Sequence, residues 1–473
     1  MPRESPVESA ESARMDSFQY IDGALHAERL RCADLAAAAG TPVYIYSKAT
    51  LLGHYARLME AFAPLRPLAC FSIKSCPNLS ICRVLGEAGA GMDLVSGGEL
   101  HRAMLAGVDP RKCVFAGVGK SDVEIRAAIE AGVGWLNVES EAEFENIAGI
   151  AADLDASCRI ALRINPDVDP RTHRYTTTGK KETKFGVDIE RARAFFRSYG
   201  GDPYCRLTGL HLHLGSPIYS SGPYITAIEK TLRLIDDLRS EGHAIAALDL
   251  GGGFGAHYES DQSPSAADYA AAIVPLLDDR VRAGLQVILE PGRSIAANAG
   301  ILLLTVQYIK TSGDKTFVIC DGGMNVLLRP SHYGAFHFIW PCTPAPAPGY
   351  IPARREERPS LPGLIVSDIV GPICETGDFL ALDRPLPPVQ RGDVLAVFTA
   401  GAYGMAMASH YNSQPLPPEV LVDGDRATII RRRETIDDLV DAELTTKELE
   451  VRGRAAQDAG QRADLAGAPA RGR

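Results

Sequence analysis

The sequence predicts an α/β fold, a (β/α)8 barrel of the TIM type, followed by a second domain with an antiparallel β-sandwich or Greek-key-like arrangement. Eight short apolar runs recur over roughly 220 residues, and helical patterns separate most of them. This alternation indicates a parallel sheet with helical crossovers, and eight units fit a closed barrel better than an open sheet. After about residue 300 the helical pattern ends, and β-rich runs separated by Pro and Gly turns follow.

The barrel pattern is preceded by one strand and one helix. TPVYIYS predicts the strand, and apolar residues at helical spacing predict a helix from Ser47. Ser121 and Ser140 each stand three residues before a glutamate, the pattern of a capping box, so two further helices are expected to begin there. The eight strand-like runs end near Ile73, Val95, Ala116, Val138, Ile164, His213, Leu250 and Glu290.

The same patterns suggest where the domains begin and end. Both ends of the chain lack an apolar period and are expected to be disordered tails. The proposed segments are a tail at 1–17, a segment at 18–46 that joins the β domain, the barrel at 47–300, the β domain at 301–445 and a tail at 446–473.

Composition excludes several classes of protein. The 473 residues include 49 basic and 59 acidic side chains, a net charge of −10, and no basic face that would suggest nucleic-acid binding. The longest apolar run, Ala299–Val306, is far shorter than the ~20 residues of a membrane span. The polar N-terminus lacks a signal-peptide core, which predicts a cytoplasmic protein. The ten cysteines form no CxxC pair, which argues against zinc ribbons and thioredoxin-type sites.

Polar side chains stand at the ends of the predicted barrel strands, where active sites of such barrels form. They are Lys74, Asp93, Arg163, His211, His213, Gly251–Gly253, Glu290 and Arg293. A lysine, a glycine cradle, a histidine and a carboxylate on one face are what pyridoxal phosphate requires. The lysine forms the Schiff base, backbone N–H groups hold the phosphate, and the carboxylate keeps the pyridine nitrogen protonated.

These residues are compatible with two other kinds of site. GGGFGA also fits the dinucleotide pattern G-x-G-x-x-A, but it follows the seventh strand instead of opening a first βαβ unit. His211 and His213 fall on one face of a strand, but the sequence identifies no third ligand, so no metal is predicted. Each residue alone is also consistent with an ordinary surface or strand-end role; their joint occurrence in barrel order favours the cofactor site.

Ten motifs then carry a resemblance that runs from about Thr41 to Leu439. They are FSIKSCPN, GMDLVSGGEL, HRYTTTGKKETKFGVDI, GLHLHLGS, LDLGGGFG, LEPGR, GGMNVLLRPSHYGAFH, GPICETGD, GAYGMAMASHYNSQP and RRRETIDDL. With them the chain resembles the diaminopimelate decarboxylase family, of the fold-type III pyridoxal-phosphate group that also holds ornithine decarboxylase and alanine racemase. Ser75 and Cys76 depart from the usual YAVKAN, and Thr376 replaces the serine of CESGD. Neither change removes a reacting group.

The resemblance assigns roles at the cofactor. It implies that Lys74 bonds the cofactor, that His213 stacks on its ring and that Glu290 pairs with the pyridine nitrogen. Asp93 and Arg163 are expected near the Schiff base. The groups expected to hold the phosphate are Ser216, Gly252, Gly253, the backbone of Gly292 and Arg293, and the Tyr403 hydroxyl.

The resemblance also implies a substrate site. With one end of diaminopimelate on the cofactor, the far end carries a carboxylate and an ammonium. Arginine binds carboxylates in bidentate fashion. An ornithine or lysine decarboxylase would meet only an ammonium there, so Arg329-Pro330-x-x-Tyr333 favours a far carboxylate. The residues expected around the substrate are Arg293, Arg329, Tyr333, Glu375 for the far ammonium, and Tyr403.

The resemblance further implies that Cys374 is the proton donor and reaches the active site of the neighbouring subunit, so that a homodimer is required. Three hypotheses follow. The chain decarboxylates meso-diaminopimelate to L-lysine, the last step of lysine biosynthesis; it decarboxylates another amino acid, such as ornithine, lysine, arginine or one of secondary metabolism; or it is a non-catalytic homologue that binds the cofactor. Retention of Lys74 and Cys374 argues against the third, and the second stays open.

Overall fold

The structure is a computed structural model and describes residues 16–169, 184–345 and 350–447. Apart from residues 16–17 and 446–447, the two predicted tails lie outside these ranges, and so does most of the motif HRYTTTGKKETKFGVDI. The chain divides into two compact units, residues 1–433 and 434–473. The first unit contains every strand described below.

Strands account for most of the regular structure of the first unit. In chain order they are β1 (Phe18–Ile21), β2 (Ala24–Ala27), β3 (Leu30–Arg31), β4 (Val43–Ser47), β5 (Leu68–Ser72), β6 (Gly91–Leu94), β7 (Val114–Phe115), β8 (Trp135–Val138), β9 (Cys158–Asn165), β10 (Val187–Asp188), β11 (Cys205–His211), β12 (Ala247–Asp249), β13 (Gln286–Leu289), β14 (Gly300–Ser312), β15 (Lys315–Cys320), β16 (Ile339–Pro341), β17 (Ile365–Val370), β18 (Phe379–Leu386), β19 (Val394–Val397), β20 (Glu419–Asp423) and β21 (Arg426–Arg431).

Most of the helices follow barrel strands. In chain order they are α1 (Cys32–Ala39), α2 (Lys48–Ala61), α3 (Leu79–Glu87), α4 (Gly97–Leu105), α5 (Asp122–Ala131), α6 (Glu141–Asp153), α7 (Ile189–Tyr199), α8 (Gly222–Ser240), α9 (Ala266–Arg282), α10 (Arg293–Ala296) and α11 (Arg329–Tyr333). Within the described ranges, none of these helices combines the length and the apolar character that crossing a membrane demands.

Eight parallel strands close into a barrel, as predicted. β5, β6, β7, β8, β9, β11, β12 and β13 pair in that order, and β13 pairs again with β5, while the short β10 adds to the edge of β9. These strands are the eight apolar runs of the sequence. Because both faces of such a sheet are buried, the strands consist of nearly continuous apolar residues.

Serine caps begin several of the surrounding helices. Ser121 and Glu124 form the predicted capping box at the start of α5. At α6, Ser140 accepts the N–H of Glu143 at 3.3 Å, but the Glu143 carboxylate binds the N–H of Glu139 and the ammonium of Lys120, both at 2.7 Å. The second predicted box is therefore only half formed, because a buried lysine competes for its glutamate.

A small apolar cluster fills the interior of the barrel. Its buried members come from six strands and are Cys70, Val114, Trp135, Ala161, Ala247 and Ile288. The indole of Trp135 fits because β11 carries glycine at 209, where a Cβ would lie 2.9 Å from the ring and 2.8 Å from the Cβ of Ala161. The guanidinium of Arg159 covers the indole at 4.7 Å from the ring centre.

The second sheet is built around the long strand β14, which pairs with β4, β15 and β19. The full path is β18-β17-β15-β14-β4-β20-β21, with β16 on β19. Most pairs are antiparallel, as predicted, but β15–β17 and β4–β20 are parallel. Parallel pairing requires a connection of a dozen residues or more, and both pairs have one.

The first strands of the chain lie outside this sheet. β1, β2 and β3 form a separate antiparallel sheet of three strands. It is tied to the end of β16 by the N–H of Leu25, which donates to the carbonyl of Cys342 at 2.7 Å, and by the Tyr20 hydroxyl, which donates to the carbonyl of Pro341. In the second unit, residues 434–447 form two short 3-10 turns, Asp437–Leu439 and Asp441–Glu443.

We expect Trp135→Ala to lower the free energy of unfolding by about 3–5 kcal/mol, the usual cost of truncating a large buried aromatic side chain. Trp135 is 2% exposed and packs in the buried cluster inside the barrel. Denaturant unfolding of the purified protein measures the change. Val123→Ala, on the exposed face of α5, is the matched control and should change the value by less than about 0.5 kcal/mol. Equal effects of the two substitutions would contradict a packed interior.

Candidate active site

A cavity of about 440 Å³ opens at the carboxyl ends of the barrel strands, where the sequence placed the site. Predicted residues that line it are Lys74, Arg163, His213, Ser216, Glu290, Arg293, Arg329, Tyr333 and Tyr403. Lining residues that the sequence analysis did not select include Phe185, Tyr219, Tyr258 and Phe336. The fold therefore brings most of the predicted site side chains to one cavity.

Lys74 follows β5 in a short 3-10 turn, and its amine projects into the cavity. Its Nζ donates to Oδ2 of Asp93, at the end of β6, over 2.6 Å. The lysine side chain is 34% exposed, whereas the aspartate is fully buried and also accepts the hydroxyl of Ser72. Burial lowers the pKa of Lys74, but the carboxylates of Asp93 and Glu290 outweigh it and raise that pKa above its ordinary value.

Glu290 follows β13 and is buried beside two histidines. Its Oε2 lies 3.6 Å from Nε2 of His211 and 3.9 Å from Nδ1 of His213. Burial would raise the pKa of Glu290, but His211 and Lys74 lower it below its usual range, so the group is ionised. One nitrogen of His211 and one carboxylate oxygen each of Asp249 and Glu290 lie within 4.8 Å of one another. The sequence analysis did not identify these two carboxylates as possible metal ligands beside His211.

His213 lies just beyond β11 at the edge of the cavity. Its Nδ1 accepts the N–H of Gly252 at 3.3 Å, so this nitrogen carries no proton. Burial, with the positive charges of Arg163 and Lys74, lowers the pKa of His213 well below its ordinary value. The imidazole is therefore neutral, and the Gly252 amide orients it. The role of this amide at the phosphate stays a prediction.

The backbone after β12 and β13 has the close approach that a phosphate cradle requires. A Cβ at Gly253, whose φ is +101°, would lie 2.5 Å from the carbonyl of Gly215, and one at Gly292 would lie 2.8 Å from Cβ of Ser72. Glycine leaves the backbone amides accessible to an anion. The lysine, the ionised buried Glu290 and this glycine backbone together fit pyridoxal phosphate.

Arg293 connects the phosphate side of the cavity to its aromatic wall. Its Nε donates to the hydroxyl of Ser216 at 3.1 Å, and its Nη1 donates to the hydroxyl of Tyr258 at 2.6 Å. The ring of Tyr403 lies 4.8 Å from the guanidinium carbon. Burial would raise the pKa of Tyr258, but Arg293 and Arg329 outweigh it and lower that pKa.

Arg329 begins α11, outside the barrel strands, and is 6% exposed. Its guanidinium carbon lies 4.7 Å from the ring centre of Tyr258, and its Nε is buried with no hydrogen-bond partner in the described part of the chain. Tyr258 therefore contacts both arginines. The sequence signal for Tyr258 is weak: it stands eight residues past Leu250, the predicted end of the seventh barrel strand, and many tyrosines in such loops have no function.

Arg163, at the end of β9, is held by a glutamate that the sequence analysis missed. Its Nη1 donates to Oε1 of Glu139 at 3.0 Å, and the second oxygen of Glu139 accepts the N–H of Gly186. The guanidinium stacks on Phe185 at 4.6 Å. This ion pair is almost fully buried and fixes the cation at the cavity wall.

Cys374 and Glu375 do not line this cavity. Nine of the ten cysteines are buried, whereas Cys374 is exposed. Its N–H donates to Oδ1 of Asn412 at 2.9 Å. The side chain of Glu375 contacts the Tyr411 hydroxyl, which is also exposed. Two predicted site residues therefore lie on the surface of their own chain.

Comparisons with known proteins agree with the cofactor site. Residues 48–297 match the family model described as pyridoxal-dependent decarboxylase, pyridoxal binding domain. A diaminopimelate decarboxylase of Aquifex aeolicus is 44% identical over 90% of this chain and 97% of its own length. Solved diaminopimelate decarboxylases complexed with L-lysine, from Helicobacter pylori and m. jannaschii, are 37% and 35% identical. They give TM-scores of 0.80 and 0.83 and cover 87% and 91% of this chain and 98% of their own chains.

We expect Asp93→Asn to lower the pKa of Lys74, because the substitution removes the nearest negative charge. In cofactor-free protein, Lys74 should then lose its proton at lower pH and react several-fold faster with acetic anhydride in mildly alkaline buffer. Mass spectrometry of the Lys74 peptide measures the rate. Ser72→Ala, which removes a hydrogen bond but keeps the carboxylate, should label like the unmodified protein. An unchanged rate in the Asn variant would show that Asp93 does not hold the ammonium.

Proposed function

This chain belongs to the diaminopimelate decarboxylase family of pyridoxal-phosphate-dependent enzymes, and from that premise we propose how its own residues serve the reaction. The chain is a carboxy-lyase that releases one carboxyl group of meso-2,6-diaminopimelate as CO2 and leaves L-lysine. Bound pyridoxal phosphate supplies the electron sink that makes the loss of CO2 possible.

The observation that carries the substrate assignment is a buried cation in the cavity of Lys74 that has no carboxylate partner among the described residues. Arg329 is buried, and no carboxylate of the described residues lies within ion-pair distance of it. A buried charge without a partner is costly, so a ligand carboxylate is its natural complement. Diaminopimelate retains such a carboxylate at its far end, whereas ornithine and lysine present only an ammonium there.

The cofactor-side residues act through charge and orientation. We assign the covalent bond with the cofactor to Nζ of Lys74, whose ammonium Asp93 holds in place. Glu290, ionised and buried, keeps a proton on the pyridine nitrogen. The neutral imidazole of His213, fixed by the Gly252 amide, provides a flat face for the ring.

The anionic end of the cofactor needs donors, which the same edge of the barrel offers. We assign the phosphate to the hydroxyl of Ser216, to the backbone at Gly253, Gly292 and Arg293, and to the Tyr403 hydroxyl. Arg293 supports two of these groups, since it binds the Ser216 hydroxyl and packs on the Tyr403 ring.

Cys374 and Glu375 belong, in this proposal, to the site of a second copy of the chain. Both lie outside the cavity of their own chain, and Cys374 is exposed. In a two-fold dimer each chain contributes the same loop to its partner, so both sites gain a thiol and a carboxylate. The thiol then delivers a proton to the carbon that has lost CO2, and Glu375 binds the far ammonium.

The substrate assignment is tested by CO2 release from meso-diaminopimelate, L-lysine, L-ornithine and L-arginine at equal concentrations. Turnover should be confined to meso-diaminopimelate, since only that substrate brings a carboxylate to Arg329. Arg329→Gln should lower kcat/KM for it by about 10–100-fold, the usual cost of losing a charge-assisted bond. Faster turnover of one of the other amino acids would assign the chain to a sister activity.

The shared site is tested by mixing two inactive variants. Cys374→Ala alone should lower kcat by about 10²–10⁴-fold, the usual contribution of a general acid, while cofactor binding stays intact. Lys74→Ala and Cys374→Ala, co-expressed, should regain about one quarter of full activity. Half of randomly formed dimers are mixed, and each mixed dimer has one complete site. Verified mixed dimers without activity would place both residues in one chain's site.

A further inference from the structure

We propose that His337 is a positioning residue that fixes the guanidinium of Arg329, so that its remaining donors face the far carboxylate of the substrate. The inference rests on the role proposed above for Arg329. His337 itself is fully buried and does not line the cavity, so it acts through the arginine and not by contact with substrate.

The hydrogen bonds of His337 determine which ring nitrogen carries the proton. Nδ1 lies 2.9 Å from the backbone carbonyl of Phe398, and Nε2 lies 3.1 Å from Nη1 of Arg329. A carbonyl oxygen only accepts and a guanidinium only donates. Nδ1 therefore carries the proton, and the lone pair of Nε2 accepts from Arg329.

The charge state of the ring supports this arrangement. Burial and the positive charge of Arg329 lower the pKa of His337 to about 3. The other charged groups that act on it, Arg384 and Arg293, are also cations. The imidazole thus stays neutral at neutral pH and offers a lone pair to the arginine without cancelling its charge.

The lack of negative charge on the imidazole matters for substrate binding. A carboxylate partner would neutralise Arg329 and compete with a ligand carboxylate, whereas a neutral acceptor uses one N–H and leaves the positive charge available. The buried Nε of Arg329 remains without a partner in the described ranges. The ring of Tyr258, 4.7 Å from the guanidinium, restricts the other side of the group.

The fold holds His337 rigidly in this position. The residue immediately precedes Phe338, whose carbonyl accepts the N–H of Phe398 at 2.8 Å, so the backbones beside β16 and β19 are joined there. The carbonyl of His337 accepts Nη1 of Arg384 at 2.8 Å. Hydrogen bonds therefore hold both the backbone and the ring of His337, and the lone pair of Nε2 points at Arg329.

Two substitutions separate the two hydrogen bonds of the ring. In His337→Asn the side-chain NH2 group takes the position of Nδ1, so the variant keeps the hydrogen bond to the Phe398 carbonyl and loses the one from Arg329. In His337→Gln the amide oxygen reaches the former position of Nε2 and still accepts from Arg329. The measurements are the dissociation constants of the holoenzyme for L-lysine and for 1,5-diaminopentane. As the product, L-lysine keeps the far carboxylate when its side-chain amine lies at the cofactor, whereas 1,5-diaminopentane has no carboxylate.

The Asn variant should bind L-lysine about tenfold or more weakly, because a hydrogen bond to a charged group is lost and the fork is free to turn. It should bind 1,5-diaminopentane unchanged, and the Gln variant should bind both within about threefold of the unmodified enzyme. In an Arg329→Gln background, His337→Asn should weaken lysine binding no further. If the Asn variant does not fold, His337→Leu, which loses both hydrogen bonds of the ring, should show the same selective loss of L-lysine binding.

Three results would overturn the inference: equal loss for both ligands in every His337 variant, no loss in any of them, or an additive loss in the double variant. The first indicates a general structural role, and the third an action independent of Arg329. CO2 release by the unmodified enzyme reports separately on the proposed function. An enzyme that fails that assay but shows the selective loss of lysine binding would retain the His337–Arg329 relation and lose only the substrate assignment.

Discussion

The pairing of β13 with β5 closes the barrel, and the chemistry of the site depends on it. Ile288 lies beside Leu68 in this pair, so the ends of the last and first strands meet. Lys74 and Glu290, far apart in sequence, then line one cavity. Without closure, Asp93 would still bind the lysine, since β6 adjoins β5, but the second carboxylate and the phosphate cradle would stand elsewhere.

Charges of both signs are buried in this site, and they are separated in space. Asp93 and Glu290 stand at strand ends inside the barrel beside the lysine. Arg293 and Arg329 lie against the aromatic wall of Tyr258. Lys74 forms an ion pair with Asp93 in the first group, whereas the second group has mainly hydroxyl, imidazole and ring neighbours. Such a wall is suited to anions brought in by ligands.

Much of this arrangement followed from the sequence because it is encoded locally. Each barrel strand is a short apolar run, and the residue after the run must stand at the active face, so Lys74 and Glu290 were placed without a structure. The parallel pair β4–β20 was not predicted, because pairing between distant strands leaves no local pattern. His337 was missed for a similar reason, since its role depends on a carbonyl in another strand. The surface position of Cys374 likewise depends on tertiary structure.

The direct pairing of β4 with β14 has a consequence for synthesis of the chain. Tyr46 lies opposite Gly300, so the whole barrel is an excursion between two neighbouring strands of the other sheet. Because the ribosome releases the chain from its N-terminus, β4 emerges some 250 residues before its partner strand β14. This buried apolar strand is exposed during that interval, when unpaired edges invite aggregation. The nascent polypeptide therefore carries one buried strand of its second sheet unpaired until its catalytic half has been synthesised.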